Sequence, residues 1–319
     1  VPYNIEGAVN HIKKGIEKGS SLAMNDYAYM IQTGGVGWID YNIIEEYYLK
    51  AIDKGNAIAM FNYGYMLHHG LGDDIENYEL AIKYYKMAML KGNPSAMNYY
   101  GLMFQKGQGV PVDYDEAIKY YKMAIEKGNA EAMTNYAIML ENGIGIPIDI
   151  KEAVKLYKKA IEKSNPKAMH NLARILQLGT NGEVDYDGAI KYNKMAMAKY
   201  LPESKYQYAL MLKNGEGCKV DIEKAVRLLE SLVSVRFKPA IITYANMLAE
   251  GDGVPLDKEE ATKLYKKANC SEAEFYYGKM LMKDTESESN FKKGVDIIGK
   301  LADNGIKDAI FEYGNILLK

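Results

Sequence analysis

The same pattern returns about every 36 residues from one end of this chain to the other. Each copy opens on Ala, carries Tyr and a small residue four and five places later, and runs on to Gly-x-Gly. A fixed period of this length points to a solenoid, in which each short unit buries its apolar face only by stacking on its neighbours. The residues that hold the stack are then separable from those the repeat leaves free, and function resides in the second set.

The clearest copy, Pro94 to Asn129, reads PSAMNYYGLMFQKGQGVPVDYDEAIKYYKMAIEKGN, and the next, Ala130 to Asn165, reads AEAMTNYAIMLENGIGIPIDIKEAVKLYKKAIEKSN. The leading Ala recurs at Ala23, Ala59, Ala96, Ala132, Ala168, Ala240, Ala273 and Ala309, with Ser204 in the one remaining place. The steps are 36 or 37 residues, apart from one of 33 into Ala273. A second Ala recurs at Ala8, Ala81, Ala117, Ala153, Ala189, Ala225 and Ala261, with Ile44 and Gly294 as variants. The spacing predicts nine first helices and nine second helices.

Both halves have helical periodicity. Counting from Ala96 as zero, the apolar residues fall at 0, 4, 7 and 8, namely Ala96, Tyr100, Met103 and Phe104, one face of a helix. Ala117, Tyr121 and Ala124 do the same in the second half. Gly-x-Gly between them suits a helix C-terminus with positive φ. Val110-Pro111 and Ile146-Pro147 then bar continuation, and Asp113 and Asp149 are N-cap candidates for the second helix. Gly128-Asn129 ends the second helix in the same manner.

The fifth place after the leading Ala is always Ala or Gly: Ala28, Gly64, Gly101, Ala137, Ala173, Ala209, Ala245, Gly278 and Gly314. Glycine within a helix costs about 1 kcal/mol relative to alanine, so its recurrence implies close helix–helix approach. Tyr fills the fourth place in eight of nine copies, with Leu172 the exception, and a ring beside a small residue fits a stack of helix pairs. Gly101→Leu is expected to destabilise by roughly 1–3 kcal/mol through overpacking.

On these residues the chain resembles the Sel1-like repeat family, helix–turn–helix units related to tetratricopeptide repeats. The resemblance covers nearly the whole chain. It departs from the family in using Tyr where Leu is usual. It implies an all-α fold: an α-solenoid, a right-handed superhelix of about nine antiparallel helix pairs with a concave inner surface. It also implies scaffold or adaptor roles, and it supplies no catalytic residue to carry over. Resembling secreted proteins staple each repeat with a disulfide. Cys218 and Cys270 lie in different repeats and lack such partners, which points to a reducing, cytoplasmic setting.

The unbroken repeat predicts one array over 1–319 rather than two globular domains. The net charge of −2 shows no basic excess, which argues against nucleic acid or an anionic membrane as partner. There is no run of 18 apolar residues and no visible signal peptide. The chain opens in mid-repeat and closes on a first helix whose Phe311, Ile316 and Leu317 make an unlikely polar cap. The natural protein is accordingly expected to extend beyond both ends.

The template breaks in three places. Thr33 to Asp40 holds the only Trp, Trp38, which either packs on the neighbouring repeat or stands exposed as an anchor. Ser231 to Phe237 replaces the usual helix end with Leu and Val, read as local repacking. Lys283 to Asn290 lacks Gly-x-Gly and reads as a polar loop, with Thr285, Ser287 and Ser289 as phosphorylation candidates among acids.

Chemical motifs are sparse. His68-His69 is the one adjacent histidine pair, but helical neighbours point about 100° apart and do not share a metal. The Gly-x-Gly turns lack the Lys-Ser/Thr and preceding strand of a phosphate loop. Tyr84-Tyr85 and Tyr120-Tyr121 follow core spacing. No catalytic, metal or cofactor site is expected.

The candidate binding surface lies at places 2, 6 and 10 after each leading Ala, opposite the packed face. Its expected partner-binding residues are Tyr29, Phe61, Tyr65, His69, Leu102, Lys106, Ile138, Arg174, Tyr206 and Leu210, with Tyr29, Phe61, Tyr65 and Leu102 the sharpest patch. Asn62, Asn135 and Asn171 at place 3 are candidates to hold a peptide backbone, and packing between repeats is the competing reading for the whole set. Lys83, Lys119, Lys155 and Lys191 read as a solvated outer face. The expected function is a non-catalytic scaffold or adaptor holding a partner protein or peptide along its concave side. The alternatives are a structural subunit of a large assembly, or the repeat region of a longer, for example kinase-linked, regulatory protein.

Overall fold

The structure, a computed structural model, describes residues 5–72, 75–284 and 287–318. Among them are eighteen helices and no strand. The second helices of the repeats are α1 (Ile5–Glu17), α3 (Tyr41–Asp53), α5 (Tyr78–Leu90), α7 (Tyr114–Glu126), α9 (Ile150–Glu162), α11 (Tyr186–Met197), α13 (Ile222–Ser234), α15 (Lys258–Ala268) and α17 (Glu288–Asp303). The first helices are α2 (Ser21–Gln32), α4 (Ala57–His68), α6 (Pro94–Lys106), α8 (Ala130–Asn142), α10 (Pro166–Leu178), α12 (Pro202–Asn214), α14 (Lys238–Glu250), α16 (Ser271–Met282) and α18 (Lys307–Leu317). This is the alternation the spacing predicts. The helices group into two compact units, one ending at Ala168 and the other starting at Met169.

In the first unit each helix ends where the sequence punctuates it. Asp113 accepts from Glu116 N at 3.0 Å and Asp149 from Glu152 N at 2.9 Å, so both aspartates cap as expected. Asn129 follows the positive-φ Gly128 and caps α8 by accepting from Ala132 N at 2.7 Å. In Gly107-Gln108-Gly109 the two glycines have separate tasks. Gly107 takes φ +71° as the C-cap of α6. At Gly109 any Cβ would overlap the Cβ of Tyr78, because the turn lies directly on the start of the previous second helix.

The core of this unit is built on a row of fully buried tyrosines, Tyr48, Tyr85, Tyr121 and Tyr157, one each from α3, α5, α7 and α9. Each hydroxyl reaches a side chain at the same place in its own first helix. Tyr48 donates to Gln32 at 2.5 Å, Tyr121 to Gln105 at 2.6 Å and Tyr157 to Glu141 at 2.7 Å. Tyr85 meets His68 Nδ1 at 3.2 Å. A buried phenol without a partner would cost about 1–3 kcal/mol, so the ring and its acceptor are kept as a pair. The small fifth residue makes room for the ring. A Cβ on Gly101 would stand 3.1 Å from both the Ala117 carbonyl oxygen and the Tyr121 ring.

The second unit repeats the scheme with substitutions. Leu229 and Asn193, both fully buried, occupy the ring position in α13 and α11. Asn193 Nδ2 reaches only Met211 Sδ at 3.7 Å, and its Oδ1 has no partner. The Ser231–Phe237 break is a repacked helix end: Arg236 takes φ +59° where other repeats place glycine, and the Phe237 ring lies 5.7 Å from that of Tyr206. Tyr200 adopts φ +61° at the equivalent point one repeat earlier. In the third break α17 begins at Glu288, and Ser287 caps it by accepting from Asn290 N at 3.2 Å. Ser289 lies within α17, and Thr285 lies outside the described residues.

Candidate interaction groove

The inner face of the first unit is made by the first helices α2, α4, α6 and α8. Place 2 of one repeat and place 3 of the next meet across the first three junctions. Asn62 Nδ2 donates to Asn25 Oδ1 at 3.0 Å, and Asn135 Nδ2 donates to Asn98 Oδ1 at 2.9 Å. At the junction between those two, Phe61 meets Tyr99, ring centroids 5.4 Å apart. In the second unit Tyr206 and Thr243 share a hydroxyl bond of 2.8 Å in the same register. Asn25 and Asn98 are consequently buried; Thr134, whose hydroxyl donates to Ala130 O at 2.9 Å, Ile242 and Phe275 are buried too, although all five belong to the places read as groove-lining. The amides of Asn62 and Asn135 are likewise committed to neighbouring repeats rather than held out for a peptide.

What stays open is a recess of 640 Å³ between α2, α4, α6 and the start of α8. Tyr29, Phe61, Tyr65 and Tyr99 supply its rings, and Gln32, Thr33, Asn62, Ser95, Asn129 and Glu131 its polar groups. Tyr29 is 53% exposed. Tyr65 packs edge-on to Tyr99 at 5.3 Å. A second recess of 350 Å³ shares Tyr99 and Glu131 and continues over Leu102, Lys106, Thr134 and Lys167. The two together make one groove along the inner helices.

The candidate residues are thus placed unevenly. Tyr29, Phe61, Tyr65, Leu102 and Lys106 line this groove. Phe61 is also stacked on the buried Tyr85 at 5.9 Å, so it is part wall and part core. His69 is exposed, with its ring 4.2 Å from Tyr65. Ile138 is half-buried on α8 and outside both recesses. Arg174, Tyr206 and Leu210 are half-buried in the second unit, where the Tyr206 hydroxyl is held by Thr243. Tyr99, Gln32 and Glu131 were missed. The available signal was Tyr99, an aromatic at place 3 where the flanking repeats have Asn62 and Asn135.

His68 is 2% exposed and uses both ring nitrogens, toward Tyr85 and toward Gln108 Oε1 at 3.2 Å. Burial pushes its pKa below the ordinary 6.5, and does the same to His69. Burial pushes Tyr99 upward, and the nearby Glu131 charge adds to that. Trp38 is 44% exposed at the end of its loop. Lys83, Lys119 and Lys191 lie over the rings of Tyr84, Tyr120 and Tyr192 at 5.3–5.6 Å on the outer helices. No helix among the described residues is long and apolar enough to cross a membrane.

Seven consecutive segments match the model of the Sel1 repeat: 21–56, 57–93, 94–129, 130–165, 166–197, 202–232 and 240–270. The chain belongs to the Sel1 repeat family. Its described helices continue past the matched Sel1 repeats at both ends, with α1 before them and α16 to α18 after. The later segment departs from the motif in lacking Gly-x-Gly and in carrying Gly294 and Ile298 where Ala and Tyr are usual.

No curated protein matches the chain significantly in sequence. Among solved structures, a Sel1 repeat protein from Oxalobacter formigenes is 21% identical, with a TM-score of 0.61 over 96% of this chain and 89% of that one. Human IFIT1, solved as a dimer with PPP-AAAA, is 14% identical, with a TM-score of 0.55 over 98% and 85% of the two chains. Yeast Tom70 is 17% identical, with a TM-score of 0.53 over 92% of this chain and 62% of its own. At these identities the likeness is one of fold alone. The Sel1 motif specifies the capped turns, the buried ring and the small residue beside it. It leaves Tyr29, Tyr65, Tyr99 and Glu131 undetermined.

Proposed function

We propose that this chain is a non-catalytic interaction module that holds an extended segment of a partner protein in the groove formed by α2, α4, α6 and α8. The observation that carries the reading is the 640 Å³ recess, walled by rings that the repeat does not require. Rings in a concave, partly dry setting are the groups that most often anchor a partner. The Asn25–Asn62 and Asn98–Asn135 bonds support it further, because they brace the walls in advance and lower the ordering cost of binding. The two cysteines, half-buried and unpaired, support a reducing, cytoplasmic setting.

Affinity capture from native lysate tests the reading, using the wild type and a Tyr29→Ala, Tyr65→Ala variant. Phe61 is left intact, because its truncation would open the core beside Tyr85. A partner held by the wild type and lost with the variant is the expected result. The same partners on both proteins, with matching circular dichroism, would move the interface off this groove.

A further inference from the structure

We propose that the ring-lined recess receives a cationic side chain, an arginine in the first place, from the segment bound in the groove. The inference rests on the groove reading above and adds the chemistry of the occupant. Four rings face the recess, and the ionisable carboxylate among its lining residues is Glu131; no lysine or arginine lines it. The π faces present negative charge density to a ligand and attract a cation within about 6 Å of a ring centroid. Glu131 acts in the same direction. Its Oε2 is held by Asn98 Nδ2 at 3.4 Å, so the carboxylate is anchored to the floor rather than free to swing into solvent. The closeness of this carboxylate to the Tyr99 phenol is evident in the raised pKa of Tyr99, to which burial contributes most and Glu131 next.

Other occupants fit less well. An anionic side chain would be repelled by both the rings and the carboxylate. The N-terminus of α8 offsets this by about half a positive charge, which leaves the recess negative. An aliphatic side chain would cover the rings but strip water from the Glu131 carboxylate, a cost that a guanidinium avoids through its five N–H donors. The positive groups of the groove, Lys106 and Lys167, line the adjoining recess beyond Tyr99 and Glu131. A bound cation therefore sits on the α2–α4 side of Glu131 rather than in the recess that the two lysines line. Arginine is favoured over lysine because its planar head stacks on a ring while bonding a carboxylate in its own plane.

A random-peptide display library selected against the immobilised chain provides the probe, with Glu131→Gln and Tyr29→Ser as variants. Tyr29 is a surface ring and Glu131 an exposed side chain, so both variants are expected to keep the wild-type circular dichroism. The expected result is a selected family carrying arginine at one fixed position. Its best member should lose about tenfold in affinity with Glu131→Gln. It should lose a similar factor when its own arginine becomes glutamine, and the two losses should not multiply. Selected peptides with no basic residue, weakened by Tyr29→Ser but untouched by Glu131→Gln, would overturn the cation assignment and leave the groove standing. Peptides indifferent to both variants, or no enrichment at all, would overturn the groove reading together with it.

Discussion

The packing of the small fifth residue can be tested with three variants at two sites, which differ in what a new side chain would meet. At Gly101 a Cβ would lie 3.1 Å from the Ala117 carbonyl oxygen and 3.1–3.2 Å from the Tyr121 ring. Both neighbours are rigid, one being backbone and the other a ring pinned by its bond to Gln105 at 2.6 Å. Gly101→Ala gains about 1 kcal/mol of helix propensity. Against this, α6 and α7 must part by a few tenths of an ångström, which forfeits part of the contact energy of the buried ring. The net change is expected to be within about 0.5 kcal/mol of zero. Gly101→Leu keeps the same gain but places three further carbons against the carbonyl and the ring, for a loss of roughly 1–3 kcal/mol. At Gly314 a Cβ would meet nothing within 4 Å, so Gly314→Ala keeps the full gain of about 1 kcal/mol. Urea unfolding followed at 222 nm should rank the three as Gly314→Ala, Gly101→Ala, Gly101→Leu. Equal gains from the two alanine variants, or an unshifted midpoint for Gly101→Leu, would refute the claim that helix approach is limited at this residue.

Three further outcomes are expected. Tyr200→Gly relieves a left-handed residue that is 91% exposed, and should raise stability by about 0.5 kcal/mol once the greater unfolded-state freedom of glycine is allowed for; a lower melting temperature would contradict this. Asn193→Leu removes a buried carbonyl oxygen with no partner and installs the residue type of Leu229 at the same place, for a gain of about 1 kcal/mol in chemical denaturation; a loss would mean that Asn193 is satisfied. His68 and His170 both have pKa values lowered by burial from the ordinary 6.5, so the unfolded chain takes up protons before the folded one as pH falls. Stability should be full above pH 6.5 and decline below it until the folded-state values are reached, with a shallower decline in His68→Gln; identical slopes for the variant and the wild type would remove His68 from the account.

Helix alternation, capping and the ring-beside-small pairing were legible because each depends on residues within one repeat. A 3.6-residue period places Tyr121 and Gly101 on facing sides of one helix pair, and the two are found together. The groove was only half legible, because periodicity says which side of a helix faces its own partner and nothing about how the next repeat leans across it. That is why Asn25 and Asn98, opposite the packed face, are closed off by neighbouring repeats, whereas Tyr29 stays open. The second glycine of Gly-x-Gly was read as a helix terminator, yet at Gly109 the decisive fact is the Tyr78 side chain of the preceding repeat, whose Cβ lies against it. Tyr99 was overlooked for a related reason: in its own repeat it is simply the neighbour of Tyr100, and its role arises from Phe61 one unit away.

The pairing across junctions limits how such a gene can grow or shrink. Asn25 matches Asn62, Phe61 matches Tyr99, and Asn98 matches Asn135, so adjoining units carry complementary edges, like tiles keyed to a single order. Unequal recombination that removed residues 57–93 would preserve the period and every cap, yet would set Asn25 against Tyr99. An amide would then lose its partner and a ring its stack in one step. Duplication of the same stretch would set Phe61 against a second Asn62. Length variation in this array is therefore expected to be tolerated where edges happen to agree, and to require compensating changes at places 2 and 3 everywhere else.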